Sequence, residues 1–527
     1  MTPELRARVE TWIADDVDAA AAAELRTLLD AGAGEELADR FAAPLTFGTA
    51  GLRGPLRAGP NGMNRTVVRR TAAGLAAWLH ESRPGSIVVV GYDGRHGSYD
   101  FAHDSAAIFA AAGFDARVLP RLLPTPVLAF AVRHLGAAAG VMVTASHNPP
   151  QDNGYKVYAG DGAQIVPPMD TEIEAAIEAV GPAREIGLSD EYTTLDESIV
   201  EAYVTAIAGL IGDGPRDVRI VHTAMHGVGT EVLVRVFAAA GFAPLIEVPQ
   251  QSAPDPDFPT VSFPNPEEPG ALDLALALAR EHAADIVIAN DPDADRCAVA
   301  VPDGGVWRML RGDEVGVLLA DALLRKGIRG TYATTIVSST MLRALAARHD
   351  VGYAETLTGF KWISRAAVDL VFGYEEALGY AVAPNLVRDK DGISAALLVA
   401  ELAARLKAAG GSLPERLDEL AAEYGRYATD QISIRVDDLA LITDTMTRLR
   451  AAPPQTLLDE KVTVTDRLPD ADVLTLTWTG GRVVVRPSGT EPKLKAYLEV
   501  VVADGSLEEA TRRMTQLRDE VGARLSS

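Results

Sequence analysis

Short apolar runs rich in β-branched residues alternate with longer, alanine-rich segments of helical period along most of the chain. Short apolar runs bounded by polar residues predict buried strands, and the longer segments predict helices. Regular alternation of the two indicates parallel or mixed sheets covered by helices, so we expect an α/β fold. The predicted helix lies at 100–113, and the predicted strands lie at 86–91, 139–144, 218–222, 285–289 and 332–337.

The pattern changes towards the C-terminal end. Strands are predicted at 429–435, 472–478 and 482–486, each with alternating polar and apolar positions, and a final helix is predicted at 507–524. Strands that follow one another through turns favour antiparallel pairing. The last part of the chain is therefore expected to form a smaller α+β domain.

The length of 527 residues exceeds what one ordinary hydrophobic core supports, so three or four domains are expected. Segments rich in glycine, proline and charge place possible boundaries near 212–215, near 311–313 and near Gly425. Apolar residues make up 48% and charged residues 23% of the chain, which is typical of a globular protein.

The charge balance limits the classes of molecule that the protein is expected to bind. Lys and Arg number 49 against 73 Asp and Glu, a net charge of −24, which argues against nucleic acid because phosphate-backbone binding needs a basic face. The single cysteine, Cys297, excludes an internal disulfide and a cysteine-based zinc site. No signal-peptide pattern and no membrane-length apolar run is visible, so a cytoplasmic protein without a membrane partner is expected.

The first candidate for chemistry is Ser146, in the segment Thr-Ala-Ser-His-Asn-Pro-Pro at 144–150 directly after a predicted strand. The carboxyl end of a strand is where α/β sheets place reactive groups. An ordinary strand-to-loop turn, with Ser146 and Asn148 bonding the backbone, is the competing interpretation. No Gly-x-Ser-x-Gly elbow surrounds the serine, which disfavours an esterase.

The second candidate is the segment Asn-Asp-Pro-Asp-Ala-Asp-Arg at 290–296, again directly after a predicted strand. Asp291, Asp293 and Asp295 at alternate positions of an extended segment point to one side, as oxygen ligands of Mg²⁺ or Ca²⁺ should. An EF-hand calcium loop needs Gly at its sixth position and Glu at its twelfth, where this chain has Arg296 and Pro302. The segment therefore predicts a magnesium site.

The third candidate is Arg-Pro-Ser-Gly-Thr-Glu-Pro-Lys at 486–493. Its arginine, hydroxyls, glycine N–H and lysine can all donate hydrogen bonds to a phosphate. Two weaker segments are the glycine-rich 46–54, with Arg53, and the segment 373–380, whose paired carboxylates suit sugar hydroxyls. A polar turn, a linker and a solvated charged turn are the respective alternatives. The segment Gly227-Val-Gly229 lacks the third glycine of a dinucleotide-binding motif, and no Walker lysine motif is present. Nucleotide binding is therefore unsupported.

Taken together and in this order, these segments resemble the α-D-phosphohexomutase family, over about residues 46–497. The segments 290–296, 358–363 and 374–377 look most like its phosphoglucomutase and phosphopentomutase branch. The resemblance implies four domains around a central cleft, three of them α/β and the last a phosphate-binding lid. The implied boundaries are 1–210 for the phosphoserine domain, 211–312 for the metal-binding domain, 313–427 for the sugar-binding domain and 428–527 for the phosphate-binding domain.

The resemblance also implies roles for individual residues. Ser146 is expected to be the phosphoserine, and its oxygen is expected to hold Mg²⁺ together with Asp291, Asp293 and Asp295. The residues implied in proton transfer or charge stabilisation are Arg53, His147, Lys156, Arg296 and Lys390. The residues implied in substrate binding are Arg296, Thr358, Gly359, Glu375, Glu376, Arg486, Ser488, Gly489, Thr490 and Lys493.

The implied activity is a phosphosugar mutase, an intramolecular phosphotransferase that interconverts hexose 1-phosphate and hexose 6-phosphate through a phosphoserine enzyme and a sugar bisphosphate. Glucose is the expected sugar, and a monomer or small homo-oligomer the expected state. Ala377 stands where many members have serine, which leaves the sugar open. A phosphopentomutase, a glucose 1,6-bisphosphate synthase, a metal-dependent phosphatase and a non-enzymatic sugar-phosphate sensor are the alternatives.

Overall fold

The structure is a computed structural model, and it describes residues 1–48, 51–436, 438, 440–488 and 493–526. The chain forms two compact units. Unit 1 comprises Met1–Met309 and Gly379–Arg405, and unit 2 comprises Leu310–Leu378 and Leu406–Ser527.

Unit 1 opens with three short helices that share one small apolar cluster. Val9, Leu25 and Leu37 are fully buried at its centre. Local capping sets the helix starts, because the Thr2 hydroxyl accepts from the Leu5 N–H at 3.2 Å and closes the first turn. The helices are α1 (Pro3–Asp15), α2 (Ala19–Asp30) and α3 (Gly34–Arg40).

A six-stranded mixed sheet follows, with strand order β1-β5-β4-β2-β3-β6. Strands β2, β3 and β4 run parallel, and β5 returns antiparallel to β4. The residues that follow β2 and β4 therefore lie at the same edge of the sheet. The elements are β1 (Leu52–Pro55), α4 (Arg65–Ser82), β2 (Ile87–Tyr92), α5 (Ser98–Ala111), β3 (Asp115–Val118), α6 (Thr125–His134), β4 (Ala139–Val143), β5 (Asp152–Ala159), α7 (Met169–Glu178), a 3₁₀ turn (Ala183–Glu185), β6 (Thr193–Thr194) and α8 (Ser198–Ala208).

A second, five-stranded sheet of unit 1 has the order β11-β10-β9-β7-β8. β7 and β9 are parallel and fully buried, whereas β10 is antiparallel to β9. The aspartate segment 290–296 thus forms the connection between β9 and β10. The elements are β7 (Ile220–Thr223), α9 (Gly229–Ala239), β8 (Ile246–Glu247), α10 (Asp273–Glu281), β9 (Ile286–Ala289), β10 (Ala298–Asp303) and β11 (Val306–Met309).

Unit 2 begins with another α/β segment, in which β12 lies between β13 and β14 and is parallel to both. Its elements are α11 (Gly312–Arg325), β12 (Thr331–Thr335), α12 (Met341–Arg348), β13 (Gly352–Thr356), α13 (Phe360–Ile363) and β14 (Leu370–Glu375). The chain then returns to unit 1 with β15 (Gly379–Ala381) and α14 (Gly392–Ala408), whose last residues, from Leu406, belong to unit 2.

The C-terminal part of unit 2 is an antiparallel sheet of order β16-β22-β21-β20-β19, whose apolar face packs on two helices. Its elements are α15 (Leu413–Tyr424), β16 (Arg426–Arg435), α16 (Ala440–Ala451), β17 (Thr456–Leu457), β18 (Glu460–Lys461), β19 (Thr463–Asp466), β20 (Leu474–Trp478), β21 (Gly481–Pro487), β22 (Lys493–Val502) and α17 (Leu507–Ser526).

The predicted architecture is confirmed. Every strand predicted from the hydrophobic pattern is present within a few residues of its expected position, and the C-terminal sheet is antiparallel as expected. Among the helices of the described residues, none combines the length and the apolar character that crossing a bilayer requires.

Candidate active site

Ser146 lies in the tight turn that follows β4. Its backbone is left-handed, with φ of 52°, and its N–H donates to the Thr144 hydroxyl at 2.8 Å. A non-glycine residue in this region is strained, so the surrounding contacts must hold it there. The Ser146 side chain is buried and donates to Asp291 Oδ2 at 2.8 Å, while His147 Nδ1 lies 3.2 Å from Ser146 Oγ.

Arg95 holds this turn in place, and the sequence interpretation missed it. Its guanidinium donates to four backbone carbonyls, those of Ser146, Asn148, Pro149 and Asp152, at 2.5–3.1 Å. The side chain is buried and pairs with Asp93, since Arg95 Nε lies 3.4 Å from Asp93 Oδ2. Arg95 follows β2, and Ser146 follows the neighbouring parallel strand β4. The position of Arg95 after a predicted strand was the signal that could have identified it.

The three aspartates lie in the connection between β9 and β10, and all are fully buried. One carboxylate oxygen of each lies within 4.8 Å of those of the other two. The connection packs against the start of α9, where a Cβ on Gly227 would lie 2.3 Å from Pro292 Cα. Gly227 is therefore required for close backbone approach, which gives this glycine a structural role at the aspartate segment.

Two lysines from distant parts of the chain bind the aspartates. Lys156 Nζ lies 2.7 Å from Asp293 Oδ2 and 2.9 Å from Asp295 Oδ2. Lys390 Nζ lies 3.1 Å from the same Asp295 Oδ2. The Thr125 hydroxyl, which the sequence interpretation also missed, donates to Asp293 Oδ2 at 2.6 Å. One oxygen of each of these two carboxylates is thus fully engaged by the protein.

The other oxygens of the same carboxylates suit a cation. Asp293 Oδ1 and Asp295 Oδ1 are buried and have no hydrogen-bond partner within the described residues. Burial, with the charges of Asp293 and Asp295, raises the pKa of Asp291 well above its usual value. A divalent cation among the three oxygens would remove that electrostatic penalty, and carboxylate oxygens are the ligands that hard cations prefer. The residues present therefore fit a metal ion.

Two arginines lie near the turn that carries Ser146. Arg53 Nη1 donates to the Asn148 side-chain oxygen at 2.9 Å, and Arg296 Nε lies 4.0 Å from Asp291 Oδ2. Burial, Arg296 and Arg53 together lower the pKa of His147 well below its usual value. Partly buried cations beside a hydroxyl favour an anion there, and a phosphoryl group is such an anion. The structure thus brings together all nine catalytic and metal-binding candidates of unit 1: Arg53, Ser146, His147, Lys156, Asp291, Asp293, Asp295, Arg296 and Lys390.

The candidates for sugar binding lie in unit 2. Thr358 and Gly359 follow β13, and Glu375 ends β14, so they share the carboxyl edge of one parallel sheet. Glu376 Oε2 accepts from the Ser338 hydroxyl at 2.9 Å and from the Thr335 hydroxyl at 3.2 Å. These contacts hold the Glu376 carboxylate at the end of β12.

The candidates for phosphate binding lie at the turn between β21 and β22. Arg486 lies in the last part of β21, and Lys493 begins β22. The Ser488 N–H donates to the Lys493 carbonyl at 2.8 Å, which closes this end of the hairpin. Two further predicted residues of the turn, Gly489 and Thr490, lie outside the described residues.

Comparison with known proteins agrees with this arrangement. Four domain families match the chain in order, described as phosphoglucomutase/phosphomannomutase alpha/beta/alpha domains I, II and III and the C-terminal domain. They cover residues 44–184, 201–305, 311–424 and 432–517. A Haemophilus influenzae protein named "Probable phosphomannomutase" is 50% identical over 452 residues, which are 83% of this chain and 93% of the relative.

A second relative, named phosphopentomutase, from Mus musculus, is 36% identical over 571 residues, covering 96% of this chain and 92% of the relative. The crystal structure of a candidate phosphomannomutase from Thermus thermophilus superposes with a TM-score of 0.73 at 29% identity, covering 91% of this chain and 99% of that one. The chain belongs to the phosphoglucomutase/phosphomannomutase family of phosphohexomutases, and it is a phosphomutase, an isomerase that transfers a phosphoryl group within one substrate.

Proposed function

We propose that this phosphomutase interconverts the 1-phosphate and the 6-phosphate of a hexose, with glucose preferred, through phosphorylated Ser146 and a sugar bisphosphate. The observation that carries the proposal is the 2.8 Å hydrogen bond from Ser146 Oγ to Asp291 Oδ2. It joins a hydroxyl nucleophile to a buried cluster of carboxylates suited to a divalent cation.

Mg²⁺ is the proposed metal, held by Asp291, Asp293 and Asp295 together with an oxygen of phosphorylated Ser146. Such a cation neutralises negative charge on a transferring phosphoryl group. The chain's own contribution is to orient the aspartates and to keep Asp293 and Asp295 ionised. Burial acts to raise the pKa of Asp295, but Lys156 and Lys390 outweigh it and hold that pKa well below its usual value.

In the transfer, the bond between Ser146 Oγ and phosphorus breaks while a sugar hydroxyl oxygen bonds to the same phosphorus. The hydroxyl proton passes to His147, whose lowered pKa keeps its ring neutral, while Lys156 and Lys390 stay paired with the aspartates as cations and stabilise charge. The Ser146 oxygen that is released gains a proton, and His147 Nδ1, at 3.2 Å, is placed to exchange it. Arg53 and Arg296 supply positive charge beside the phosphoryl oxygens during transfer.

The intermediate bisphosphate must then present its other phosphate to Ser146. We assign the sugar hydroxyls to Thr358, Gly359, Glu375 and Glu376, and the distal phosphate to the 486–493 turn with Arg486, Ser488, Gly489, Thr490 and Lys493. Hydroxyls, backbone N–H groups and arginine bind phosphate in either orientation of the sugar. The proposed domains that carry these groups are 1–210, 211–312, 313–427 and 428–527.

The hexose preference rests on the matched families, whose descriptions name glucose and mannose phosphomutases. The test is a comparison of initial rates on glucose 1-phosphate, mannose 1-phosphate and ribose 1-phosphate, with the product identified by phosphorus NMR. Faster conversion of glucose 1-phosphate to glucose 6-phosphate supports the proposal. Preference for the pentose would make the enzyme a phosphopentomutase, and release of free phosphate would make it a phosphatase.

A further inference from the structure

Lys390 lies between two buried aspartates that fix its backbone. The Lys390 N–H donates to Asp389 Oδ1 at 2.8 Å. Asp391 Oδ1 accepts from the Tyr203 hydroxyl at 2.9 Å and from the N–H groups of Ile393 and Ser394 at 3.0 Å, so it caps the start of α14. The two aspartates lie on either side of the lysine that reaches Asp295, and each is held by other parts of unit 1.

The second oxygen of Asp389 is held by β5 and by the turn that follows it. Asp389 Oδ2 accepts from the Tyr158 hydroxyl and from Gln164 Nε2, both at 2.8 Å. Tyr158 and Gln164 face each other as an antiparallel bridge, which places their side chains next to one another. Tyr158 and Asp389 are almost fully buried, so these hydrogen bonds are protected from competition with water.

Strand β5 is thus connected to both lysines of the site. Lys156 and Tyr158 are two positions apart and point to the same face of the strand. Lys156 binds Asp295 directly, whereas Tyr158 acts on Lys390 through Asp389. The far end of the Lys390 loop packs on the aspartate segment, because the Gly392 N–H donates to the Ala294 carbonyl at 3.2 Å and a Cβ on Gly392 would lie 2.1 Å from the Arg296 carbonyl oxygen.

We propose that Tyr158 and Gln164 are positioning residues that act through Asp389 to hold the Lys390 ammonium on Asp295 Oδ2. The inference rests on the proposed function, in which Lys390 belongs to the site of phosphoryl transfer. A lysine side chain is long and flexible, so the backbone at its base must be fixed for its ammonium group to stay within 3.1 Å of one oxygen. The Tyr158 and Gln164 hydrogen bonds supply that fixation.

The test is a double-mutant cycle in the full-length enzyme. Tyr158→Phe removes one hydroxyl donor from Asp389, and it should lower kcat about tenfold while KM for the sugar phosphate stays within about twofold, as for loss of an orienting contact behind a ligand. In a Lys390→Met background the same change should cause no further loss of kcat, because the group that Tyr158 positions is gone.

Tyr155→Phe is the matched control. Tyr155 is equally buried on the same strand, and its hydroxyl donates to Ser105 Oγ at 3.1 Å in the core on the opposite face. It should keep wild-type kcat. Equal losses of kcat in Tyr155→Phe and Tyr158→Phe would mean a general structural effect and would overturn the inference.

Hydrogen–deuterium exchange gives a readout that does not depend on activity. In Tyr158→Phe, the peptide containing the Lys390 N–H should exchange about tenfold faster, because its acceptor Asp389 is less restrained. Unchanged exchange together with unchanged kcat would refute the positioning role. If instead Lys390→Met keeps wild-type kcat, the assignment of Lys390 in the proposed function fails, which is a separate outcome.

Discussion

The Ser146 hydroxyl donates a 2.8 Å hydrogen bond to Asp291 Oδ2 across 145 positions of sequence. Ser146 follows a strand of one sheet of unit 1 and Asp291 follows a strand of another, so the bond exists only because the carboxyl edges of these two sheets meet. Both groups are buried, where a carboxylate and a hydroxyl cost folding free energy unless they are hydrogen-bonded.

Ser146→Ala should abolish mutase turnover while the protein stays folded. The change removes the proposed phosphoryl acceptor but only one hydrogen-bonding hydroxyl, which is worth about 1–2 kcal/mol of stability. Turnover of glucose 1-phosphate, the thermal midpoint and the intact mass should be measured together. Wild-type protein incubated with a sugar bisphosphate should gain one phosphoryl group that the variant lacks.

Ser105→Ala is the control for this change, because Ser105 is a buried serine of α5 whose hydroxyl donates to the Phe101 carbonyl. It should keep turnover and phosphorylation. Near-normal turnover in Ser146→Ala would remove the serine from the mechanism.

Asp293→Asn should raise the Mg²⁺ concentration needed for half-maximal activity by about 10–100-fold, since a neutral amide is a weaker ligand than a carboxylate. The amide oxygen can still accept from Thr125, which now holds Asp293 Oδ2 at 2.6 Å, so the fold should survive. Metal affinity by calorimetry should fall in parallel with activity. Asp303→Asn, on β10 and paired with Arg308, is the control, and an unchanged metal requirement in Asp293→Asn would contradict the assignment.

Arg95→Lys should lower kcat about 10–100-fold although it keeps the positive charge. A lysine ammonium cannot reproduce the planar fork that now donates to four carbonyls of the Ser146 turn, so the strained turn should relax. The loss of charge-assisted bonds should also cost about 2 kcal/mol of stability.

Arg133→Lys is the control for Arg95, because Arg133 Nη1 donates to a single carbonyl, that of Asp161, at 2.8 Å. Its kcat should stay at the wild-type level. Equal effects of the two lysine substitutions on kcat would show that Arg95 does not act through the Ser146 turn.

Asp313 of unit 2 should make the stability of the protein fall as pH rises. Its Oδ1 accepts from the Ser339 N–H at 2.6 Å and the Tyr374 hydroxyl at 3.1 Å, and burial together with Glu376 and Glu499 raises its pKa to about 7. The folded state thus keeps this proton up to about pH 7, whereas the unfolded chain releases it near pH 4. Raising the pH through that window therefore removes stability.

Asp313→Asn cannot ionise, and its amide oxygen can accept the same two hydrogen bonds. Relative to the wild type, the variant should become more stable by about 2 kcal/mol between about pH 5.5 and about pH 8. Denaturant unfolding at the two pH values measures this difference. A stability difference between variant and wild type that is the same at both pH values would show that Asp313 does not titrate in this range.

Much of the candidate site could be predicted from local patterns. Ser146, the three aspartates and the 486–493 segment each directly follow or end a short apolar run, and a run of that kind forms a strand wherever its burial is satisfied. The side chains that come next are then fixed at a sheet edge, and their residue types alone indicate which chemistry they can perform. Arg95 follows the same rule, but a single arginine in a turn has no pattern that distinguishes it from a solvated one.

What the sequence determined by itself is the α/β class, the order of the strands along the chain and the kind of chemistry carried at their ends, because these depend on residues close together in the chain. The tertiary structure alone decided which of those ends meet. Lys156 and Lys390 bind the same oxygen of Asp295, and Thr125 binds Asp293, through contacts between residues that lie far apart in the sequence, 139 positions for Lys156 and Asp295 and 168 for Thr125 and Asp293. Electrostatic and hydrogen-bond energies depend on separations of a few ångströms in space, and only the packing of the sheets sets those separations.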